Sequence, residues 1–251
     1  MKIFKKYNST SYSDALMKEA GGLRLLRQEL GESGNLNINI PQVLRVTETV
    51  LEVRAVDAQP ANQILMQQLG TGLARLHQVK HMSYGLNENN YIGLNPQINS
   101  LTDNWGAFFV ESRLLYQVSL IKQSSLKTHF QKVLIQNQQT LINFLNANCE
   151  QASLVHGDLW SGNVLFDDSS VWLIDPAVFF GDREVDLAMT EMFGGFTESF
   201  YCAYDEVYPR TVVYDQKKEL YNLYHYLNHY NLFGNDYLQA CQQGFNAMEA
   251  F

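Results

Sequence analysis

Cysteine, proline and long apolar stretches are all scarce in this 251-residue chain. The three cysteines, Cys149, Cys202 and Cys241, are widely spaced and form no CxxC pair, which argues against a disulfide scaffold and fits thiols in a reducing compartment. Five prolines and 16 glycines exclude a collagen-like or linker-dominated chain. No apolar stretch approaches the roughly 18 residues of a membrane span, and the first residues have no apolar signal-peptide segment behind them. We therefore expect a cytoplasmic protein without a membrane partner.

Positive charge is also in short supply. Lysine and arginine total 18 against 26 aspartates and glutamates, and the net charge of −8 argues against nucleic acid as a partner. Hydrophobic residues make up 46% of the chain, which excludes wholesale disorder and is enough to build the core of one large domain or two small ones. The sequence carries no signature of an oligomeric state.

Hydrophobic periodicity predicts an α+β protein built in two parts. A short strand over residues 2–8 precedes a helix from about Ala15 to Leu30, and β-rich pieces follow at Val43–Thr47 and Thr49–Val56. Beyond Pro60 the pattern is mainly helical, with helices predicted from about Ala61 to His77, over residues 104–124 and over residues 127–148, apart from a compact β-rich stretch that contains a buried hairpin. We predict a small β-containing lobe over residues 1–57 and a larger, mainly helical lobe over residues 58–251.

A polar turn between two apolar runs carries the strongest chemical signal. The segment Leu154–Phe166 contains Asp158 and, five residues later, Asn163, while Asp175 ends the next apolar run. A carboxylate that ends a buried strand needs a charged partner, and a divalent metal shared with an asparagine oxygen is a suitable one. This spacing is the catalytic-loop layout of a phosphotransferase: Asp158 accepts the proton of the substrate hydroxyl, and Asn163 and Asp175 hold Mg²⁺ against the nucleotide phosphates. The downstream aspartate disfavours the alternative, a turn that only bonds its own backbone.

The N-terminal block offers a lysine and a glutamate for the nucleotide. Lys6 ends a strand-like run and Glu19 lies on the following helix, the arrangement in which kinases position the α- and β-phosphates. Neighbours on a strand face opposite sides, so only one of Lys5 and Lys6 can face the cleft, and we choose Lys6. Taken alone, the lysine and the glutamate could equally be solvated surface charges.

Three longer segments of the chain resemble a known family. They are His156–Asn163, Ile174–Ala177 and Gly181–Met189. Shorter matches extend over nearly the whole chain, at Lys6, Glu19–Ala20, Leu73–His77, Ile92–Gly93, Pro96–Asn99, Trp105, Arg113–Leu114, Phe193–Phe196 and Leu223–His229. Together they resemble the fructosamine kinase (ketosamine 3-kinase) family, in the aminoglycoside-phosphotransferase-like branch of the protein-kinase-like fold.

The resemblance implies a two-lobed protein-kinase-like fold and an enzyme that uses ATP and Mg²⁺. Its substrate would be a ketosamine, a fructosamine or ribulosamine, phosphorylated at the 3-hydroxyl in the deglycation of proteins or amino acids. Carried over by motif, Asp158 is the catalytic base, Asn163 and Asp175 are the metal ligands, and Lys6, supported by Glu19, is the phosphate lysine.

Further roles follow from the same resemblance. The backbone at Val53 and Ala55 is expected to contact the adenine of ATP. Trp160 stands beside the base, where its ring could pack on the sugar, and a role in the core is equally open. Residues expected to line the substrate side, because they follow Asp175 closely, are Asp182, Arg183 and Glu184. Asp186 is expected to brace the catalytic loop.

One part of the kinase-like pattern is missing. Five residues precede Lys6, which leaves no room for the two strands and the Gly-rich nucleotide loop that kinase-like folds place before the lysine strand. Relative to the family, we expect a chain truncated at its N-terminus. Two alternatives stay open: a kinase for another hydroxylated amine, such as an aminoglycoside, a macrolide or choline, and a catalytically silent pseudokinase that acts by binding.

Overall fold

The fold is taken from a computed structural model that describes residues 2–32, 34 and 37–248. The strands are β1 (Ile3–Tyr7), β2 (Ile38–Asn39), β3 (Val43–Val46), β4 (Val50–Arg54), β5 (Lys80–His81), β6 (Asn90–Ile92), β7 (Asn95–Gln97), β8 (Ala152–Val155), β9 (Val164–Phe166), β10 (Val171–Leu173) and β11 (Phe179–Gly181). The α-helices are α1 (Ala15–Glu32), α2 (Gln63–His77), α3 (Trp105–Phe108), α4 (Tyr116–Ser119), α5 (Ser124–Ala147), α6 (Glu184–Met192), α7 (Glu198–Val207), α8 (Tyr214–Phe233) and α9 (Leu238–Met248).

The N-terminal block is a three-stranded antiparallel sheet in the order β1-β4-β3. The β1–β4 register places Lys6 opposite Leu51, so the predicted lysine strand is a real strand at the edge of this sheet. Residues 46–50 make the tight connection between β3 and β4, where Thr47 accepts and donates hydrogen bonds with the backbone of Val50. The sheet thereby holds Lys6 on a rigid backbone.

Helix α1 packs on that sheet through one apolar face. Its buried leucines recur at helical spacing, so burial rather than helix propensity orients the helix. They are Leu16, Leu23, Leu26 and Leu30. Glu19 lies one turn from Leu16 and Leu23, at the border between this buried face and the cleft, and its side chain is 16% exposed. The predicted helix therefore exists and presents the predicted glutamate.

A second sheet joins the N-terminal block to the rest of the chain. Its order is β2-β10-β9, in which β10 pairs antiparallel with β9 and parallel with β2. The hairpin of β9 and β10 is the buried hairpin that the sequence predicts. The predicted boundary at residue 57 stays a prediction, and the end positions of the two predicted lobes, residues 1 and 249–251, lie outside the described residues.

A third sheet, in the order β11-β8-β5, leads into the turn that contains Asp158 and Asn163. All four residues of β8 are buried, and the chain between β8 and β9 forms the polar turn with Asp158 and Asn163. A β6–β7 hairpin lies beside this sheet. The turn therefore starts and ends on strands that are fixed in the core.

Helices make up most of the C-terminal half, around a core that includes Trp105, Phe109 and Tyr221. The sequence predicts one helix over 104–124, whereas the structure has a helical run that ends at Ser119 and is π-helical over Phe109–Leu115. The wider turn of that stretch carries the buried Arg113 inward. Within the described part of the chain, no helix is both long and apolar enough to cross a membrane.

Candidate active site

Lys6 lies between two carboxylates in the cleft under the N-terminal sheet. Its Nζ is 2.8 Å from Glu19 Oε2 and 3.0 Å from Asp175 Oδ2. The neighbouring Lys5 instead pairs with Glu52 across the sheet, at 2.8 Å from Oε1. The structure thus brings together Lys6, Glu19 and Asp175, and it turns Lys6 rather than Lys5 into the cleft.

Burial and charge act against each other in this group. Burial raises the pKa of Glu19 to about 7, although the positive charge of Lys6 opposes that rise. Burial alone would lower the pKa of Lys6, but the two carboxylates outweigh it and hold that pKa above its usual value. Lys6 is therefore a fixed positive charge at neutral pH, placed beside the side chain of Asp175.

The turn after β8 is held from below by Asp186 of α6. Asp186 Oδ2 accepts the His156 N–H at 2.7 Å, and Oδ1 accepts the Gly157 N–H at 2.9 Å. Gly157 has a φ of +80°, and a Cβ there would lie 2.1 Å from the carbonyl oxygen of Ala177, so the turn requires glycine. Asp186 is 1% exposed and does not reach the cleft, as the sequence predicts.

A buried chain of hydrogen bonds supports Asp186 in turn. His77 Nε2 lies 3.3 Å from Asp186 Oδ2, and His77 Nδ1 lies 2.9 Å from the hydroxyl of Tyr204. Burial lowers the pKa of His77, so the neutral ring donates from Nε2 to Asp186 and accepts the Tyr204 hydroxyl at Nδ1. Burial alone would raise the pKa of Asp186, but the His77 hydrogen bond and backbone donors keep it below its usual value. The brace therefore stays ionised.

His156 connects the turn after β8 to the segment around Asp175. Burial lowers the pKa of its ring, and the neutral ring donates from Nε2 to the Ile174 carbonyl at 2.9 Å while Nδ1 accepts the Asp158 N–H at 3.3 Å. The backbones are also joined, because Ala177 donates its N–H to the His156 carbonyl at 2.9 Å. Asp158 and Asp175 consequently belong to one hydrogen-bonded unit.

Asp158 and Asn163 face each other across that turn. Asn163 donates from Nδ2 to the Asp158 carbonyl at 2.8 Å and to Asp158 Oδ2 at 3.1 Å. Burial is the main reason that the pKa of Asp158 rises to about 7, and the Asn163 hydrogen bond opposes the rise. Both hydrogen bonds use the nitrogen of Asn163, so its amide oxygen remains for a ligand.

The residues around the cleft suit a magnesium ion that is bound together with nucleotide phosphates. Asn163 Oδ1 and the Asp175 carboxylate are hard oxygen donors, and the Asp175 side chain is 43% exposed. No three His, Cys, Asp or Glu side chains of the described residues cluster as a metal site. One carboxylate and one amide oxygen are a typical donor set for Mg²⁺, because this ion commonly takes one or two carboxylates and completes its shell with water and phosphate oxygens.

Two cavities meet at the Lys6, Glu19 and Asp175 side chains, which line both. The first, of about 280 Å³, lies under the N-terminal sheet, and its apolar lining includes Phe4, Leu23, Pro41, Leu51, Val53, Leu165 and Ile174. The second, of about 310 Å³, has a more polar lining that includes Asn8, Ser9, Thr10, Asn90, Tyr91, Asp158, Trp160 and Asn163. The arrangement gives an apolar compartment that suits a flat ring and a polar compartment that suits a hydroxylated molecule, with the charged groups of Lys6, Glu19 and Asp175 between them.

Trp160 lines the polar cavity and is not a core residue. It is 38% exposed, and its ring meets Phe193 edge-on with 6.0 Å between the centroids. A Cβ at Gly162 would lie 2.3 Å from Trp160 Cη2, so the ring packs directly on that glycine. Of the two alternatives that the sequence leaves open, the structure favours the ring as a wall of the cleft.

Asp182, Arg183 and Glu184 do not lie where the sequence places them, because none of them lines either cavity. Lys217 Nζ lies 2.6 Å from Asp182 Oδ2 and 2.7 Å from Glu184 Oε2. Arg183 donates to the Pro209 carbonyl at 2.6 Å. All three predicted substrate residues are at most 3% exposed. The prediction for these three is wrong in its geometry, since their charges are paired in the interior with helix α8 and its approach.

Val53 and Ala55, the residues predicted to contact adenine, lie along the apolar cavity. The N–H of Ala55, however, already donates to the Lys2 carbonyl at 3.1 Å, so a ligand would meet Ala55 through its carbonyl oxygen. Arg54, between them, carries its guanidinium 5.9 Å from the centre of the Trp172 ring. The predicted contact with adenine stays a prediction.

The sequence missed two residues that shape the site, Asn90 and Gln97 of the β6–β7 hairpin. Both are buried, and both donate hydrogen bonds to the backbone that follows Asp175. The sequence marked Pro96–Asn99 only as a resemblance without a role. The available signal was a concentration of amide side chains over 87–99, in which buried amides require hydrogen-bond partners.

Comparison with known proteins gives matches along the whole chain. The family model described as fructosamine kinase matches residues 1–250. A protein of Synechocystis described as a probable ketoamine kinase is 36% identical over 248 residues, covering 96% of this chain and 81% of that protein. A chloroplastic protein-ribulosamine 3-kinase of Arabidopsis thaliana is 43% identical over 176 residues, covering 68% of this chain and 53% of that protein.

Solved structures agree with these matches. A fructosamine-3-kinase candidate from Thermobifida fusca superposes with a TM-score of 0.84 at 27% identity, covering 99% of this chain and 86% of that one. An aminoglycoside phosphotransferase in complex with gentamicin superposes with a TM-score of 0.61 at 15% identity, covering 99% of this chain and 85% of that one. The second likeness concerns the fold alone.

Proposed function

The chain belongs to the fructosamine kinase family, and we propose that it transfers the γ-phosphoryl group of ATP to the 3-hydroxyl of a ketosamine. Family membership makes it a phosphotransferase, and the predicted α+β, protein-kinase-like fold is confirmed by the solved structures that it resembles. The 3-position is supported by the relative named protein-ribulosamine 3-kinase. Its proposed role is deglycation of proteins or amino acids.

One observation carries the proposal: Lys6, Glu19 and Asp175 form the border between an apolar cavity and a polar cavity, and Asp158 lines the polar one. A phosphoryl transfer needs a nucleotide and an acceptor on either side of a charged centre, with little covalent chemistry from the protein. The two compartments have the chemistry that an adenine ring and a sugar require. The groups that would hold the phosphates lie between them.

Asp158 is the proposed base for the acceptor hydroxyl. Its Oδ2 accepts the Asn163 amide, which leaves Oδ1 for the hydroxyl proton. The Asp186 brace fixes the backbone just before Asp158 through His156 and Gly157, so the carboxylate is held in place before substrate binds. Positioning of this kind lowers the barrier because the acceptor is already oriented for in-line attack.

Asn163, Asp175 and Lys6 are the proposed phosphate-side residues. Asn163 Oδ1 and the Asp175 carboxylate would hold Mg²⁺, which supplies neutralisation of the charge on the transferring phosphoryl group. The Lys6 ammonium, oriented by Glu19, would place a second positive charge on the nucleotide phosphates. Lys6 also neutralises Asp175 in the metal-free protein, at 3.0 Å.

Trp160 is the proposed wall for the sugar. An aromatic face packs well on the apolar face of a sugar ring, and the exposed Trp160 ring lies in the same cavity as Asp158. The three cysteines are free thiols, which fits the cytoplasm as the proposed location of the reaction.

The test uses purified protein, Mg²⁺, ATP and fructoselysine or ribuloselysine, with ADP release as the readout. We expect Asp158→Asn to lose at least a hundredfold in kcat, because general base catalysis contributes about 10²–10⁴. Asp168→Asn, an exposed aspartate in the β9–β10 turn, is the matched control and should behave as wild type. Phosphorus NMR of the product should place the phosphate on the 3-hydroxyl.

Three results would overturn the proposal. Full activity of the Asp158→Asn variant would remove Asp158 as the base. If the wild-type enzyme leaves ketosamines unchanged but phosphorylates an aminoglycoside, a macrolide or choline in the same assay, the proposed substrate class is wrong. If calorimetry detects no binding of Mg·ATP, the protein is a catalytically silent pseudokinase.

A further inference from the structure

Two buried amide side chains hold the backbone that follows Asp175. Asn90 donates from Nδ2 to the Val178 carbonyl at 2.8 Å, and Gln97 donates from Nε2 to the Ala177 carbonyl at 2.9 Å. Asn90 is 6% exposed and Gln97 1% exposed, so water does not compete for these bonds. We call Asn90 and Gln97 the amide clamp.

Other buried groups fix the orientation of both amides. Asn90 Oδ1 accepts from Gln97 Nε2 at 2.9 Å and from Asn99 Nδ2 at 2.7 Å. Tyr224 donates its hydroxyl to Gln97 Oε1 at 2.8 Å, and Arg113 Nη2 donates to Asn99 Oδ1 at 2.7 Å. Because the amide oxygens are engaged in this way, the nitrogens of the clamp must face the carbonyls of Ala177 and Val178.

The segment after Asp175 needs support because its backbone is strained. Asp175 has a φ of +53°, a left-handed conformation that is unfavourable for a residue with a side chain, and Pro176 restricts it further. Such a conformation persists only when its surroundings determine it. Helix α1 also approaches the segment so closely that a Cβ at Gly22 would lie 3.2 Å from Val178 Cγ2. Both α1 and the β6–β7 hairpin therefore hold the segment in place.

We propose that Asn90 and Gln97 are positioning residues for the reaction, which act by keeping the Asp175 carboxylate where it can bind Mg²⁺. This inference rests on the proposed role of Asp175 as a metal ligand. Neither amide needs to touch substrate or metal. Their effect passes through the carbonyls of Ala177 and Val178, two and three residues after Asp175. Partners of this kind behind a metal ligand commonly change metal affinity by 10–100-fold.

The test compares Gln97→Met with Gln117→Met. Gln117 of α4 is also fully buried, and its amide bonds Asn228 at 3.2 Å and Asn231 at 2.8 Å rather than the backbone that follows Asp175, although Asn228 also accepts from Asn95 of β7 at 2.9 Å. The same substitution therefore removes a buried amide from each place. Two measurements apply to both: Mn²⁺ affinity by electron paramagnetic resonance with a non-hydrolysable ATP analogue, and hydrogen–deuterium exchange of residues 174–178 in the metal-free protein.

We expect Gln97→Met to weaken Mn²⁺ binding about tenfold, equivalent to about 1.4 kcal/mol, and to speed exchange over residues 174–178. Gln117→Met should change both much less, because its amide makes no hydrogen bond to the carbonyls of Ala177 and Val178. Tyr224→Phe removes only the hydroxyl that orients Gln97, and it should shift both readouts in the same direction by less. This milder variant keeps the test usable if Gln97→Met does not fold.

Equal shifts in Gln97→Met and Gln117→Met, or no shift in either clamp variant, would overturn the inference. A wild-type protein that binds no Mn²⁺ with the nucleotide analogue would instead overturn the metal-binding part of the proposed function. In that case exchange over residues 174–178 still decides whether the amide clamp holds the segment.

Discussion

Replacing Lys217 by methionine tests whether Asp182 and Glu184 serve the interior or the substrate. Lys217 Nζ lies 2.6 Å from Asp182 Oδ2 and 2.7 Å from Glu184 Oε2, and the three side chains are 1%, 4% and 0% exposed. Methionine fills similar space without charge. Hydrogen bonds from Thr211 to Glu184 and from Tyr221 to Asp182 would remain, but the remaining cation, Arg183, has its Nη2 3.7 Å from Glu184 Oε1, so the variant leaves two buried carboxylates without a close positive charge.

The expected loss in the free energy of unfolding is about 3–5 kcal/mol, since removing one partner of a buried pair strands the other charge. Two carboxylates share this lysine, which places the expectation at the upper end of that range. The next residue offers a matched control: Lys218 is 23% exposed and pairs with Glu191 at 2.8 Å. Lys218→Met should cost about 0–1 kcal/mol, as exposed ion pairs do.

Urea unfolding followed by circular dichroism and tryptophan fluorescence measures both losses. The reasoning is refuted if Lys217→Met costs no more than Lys218→Met. A raised KM for ketosamine in a Lys217→Met protein of unchanged stability would return Asp182 and Glu184 to the substrate side, where the sequence first places them.

Three further predictions concern the cleft, its turn and the same lysine. In steady-state assays at varied ATP concentration, Lys6→Met should lower kcat about a hundredfold and raise the KM for ATP, whereas Lys5→Met should leave both constants unchanged. Equal effects of the two variants would contradict the assignment of Lys6. Gly157→Ala should destabilise the fold by more than about 2 kcal/mol, because the strain of a left-handed backbone adds to a 2.1 Å contact between the new Cβ and the Ala177 oxygen. Gly194→Ala, at φ +72° with no atom within 4 Å of its Cβ, measures the backbone strain alone. Similar melting temperatures of the two variants would argue against the contact. Burial would lower the pKa of Lys217, but Asp182 and Glu184 hold that pKa above its usual value. The stabilisation that Lys217 contributes is therefore complete below about pH 10.4 and is lost as pH rises through its folded-state pKa. The stability difference between wild type and Lys217→Met should narrow over that rise, and a constant difference would contradict the pairing.

The predicted elements near the cleft agree with the structure because their signals are local. The strand before Asn8, the helix after Asp14 and the helix that ends at His77 each follow the periodicity of their own side chains. Asp158 and Asn163 are five residues apart, so a single turn brings them within hydrogen-bond distance whatever the rest of the chain does. The predicted helix over 104–124 fails at a π-helical stretch, which periodicity does not reveal.

The positions of Asp182, Arg183 and Glu184 could not be predicted from the sequence, because the sequence does not show which residue a charged side chain pairs with. Asp182 and Glu184 read as cleft residues only because they follow Asp175. Their partner, Lys217, comes from α8, and only the packing of α6 against α8 shows that the charges are neutralised in the interior. The same holds for the amide clamp, whose acceptors lie some 80 residues further along the chain than Asn90 and Gln97.

The sequence by itself determined the residues on which the proposed chemistry depends: the Asp158–Asn163 turn, the Asp175 that follows it, and a lysine and a glutamate on consecutive elements. Only the tertiary structure decided which charges face the cleft and which are paired inside. It turned Lys6 toward Asp175, placed Asp182 and Glu184 against Lys217, and set Asn90 and Gln97 against the backbone that follows Asp175. The physical reason is the sequence separation of the interacting residues. Turns and helical periodicity arise between residues close in sequence, whereas burial and pairing of polar groups depend on elements that meet only after folding.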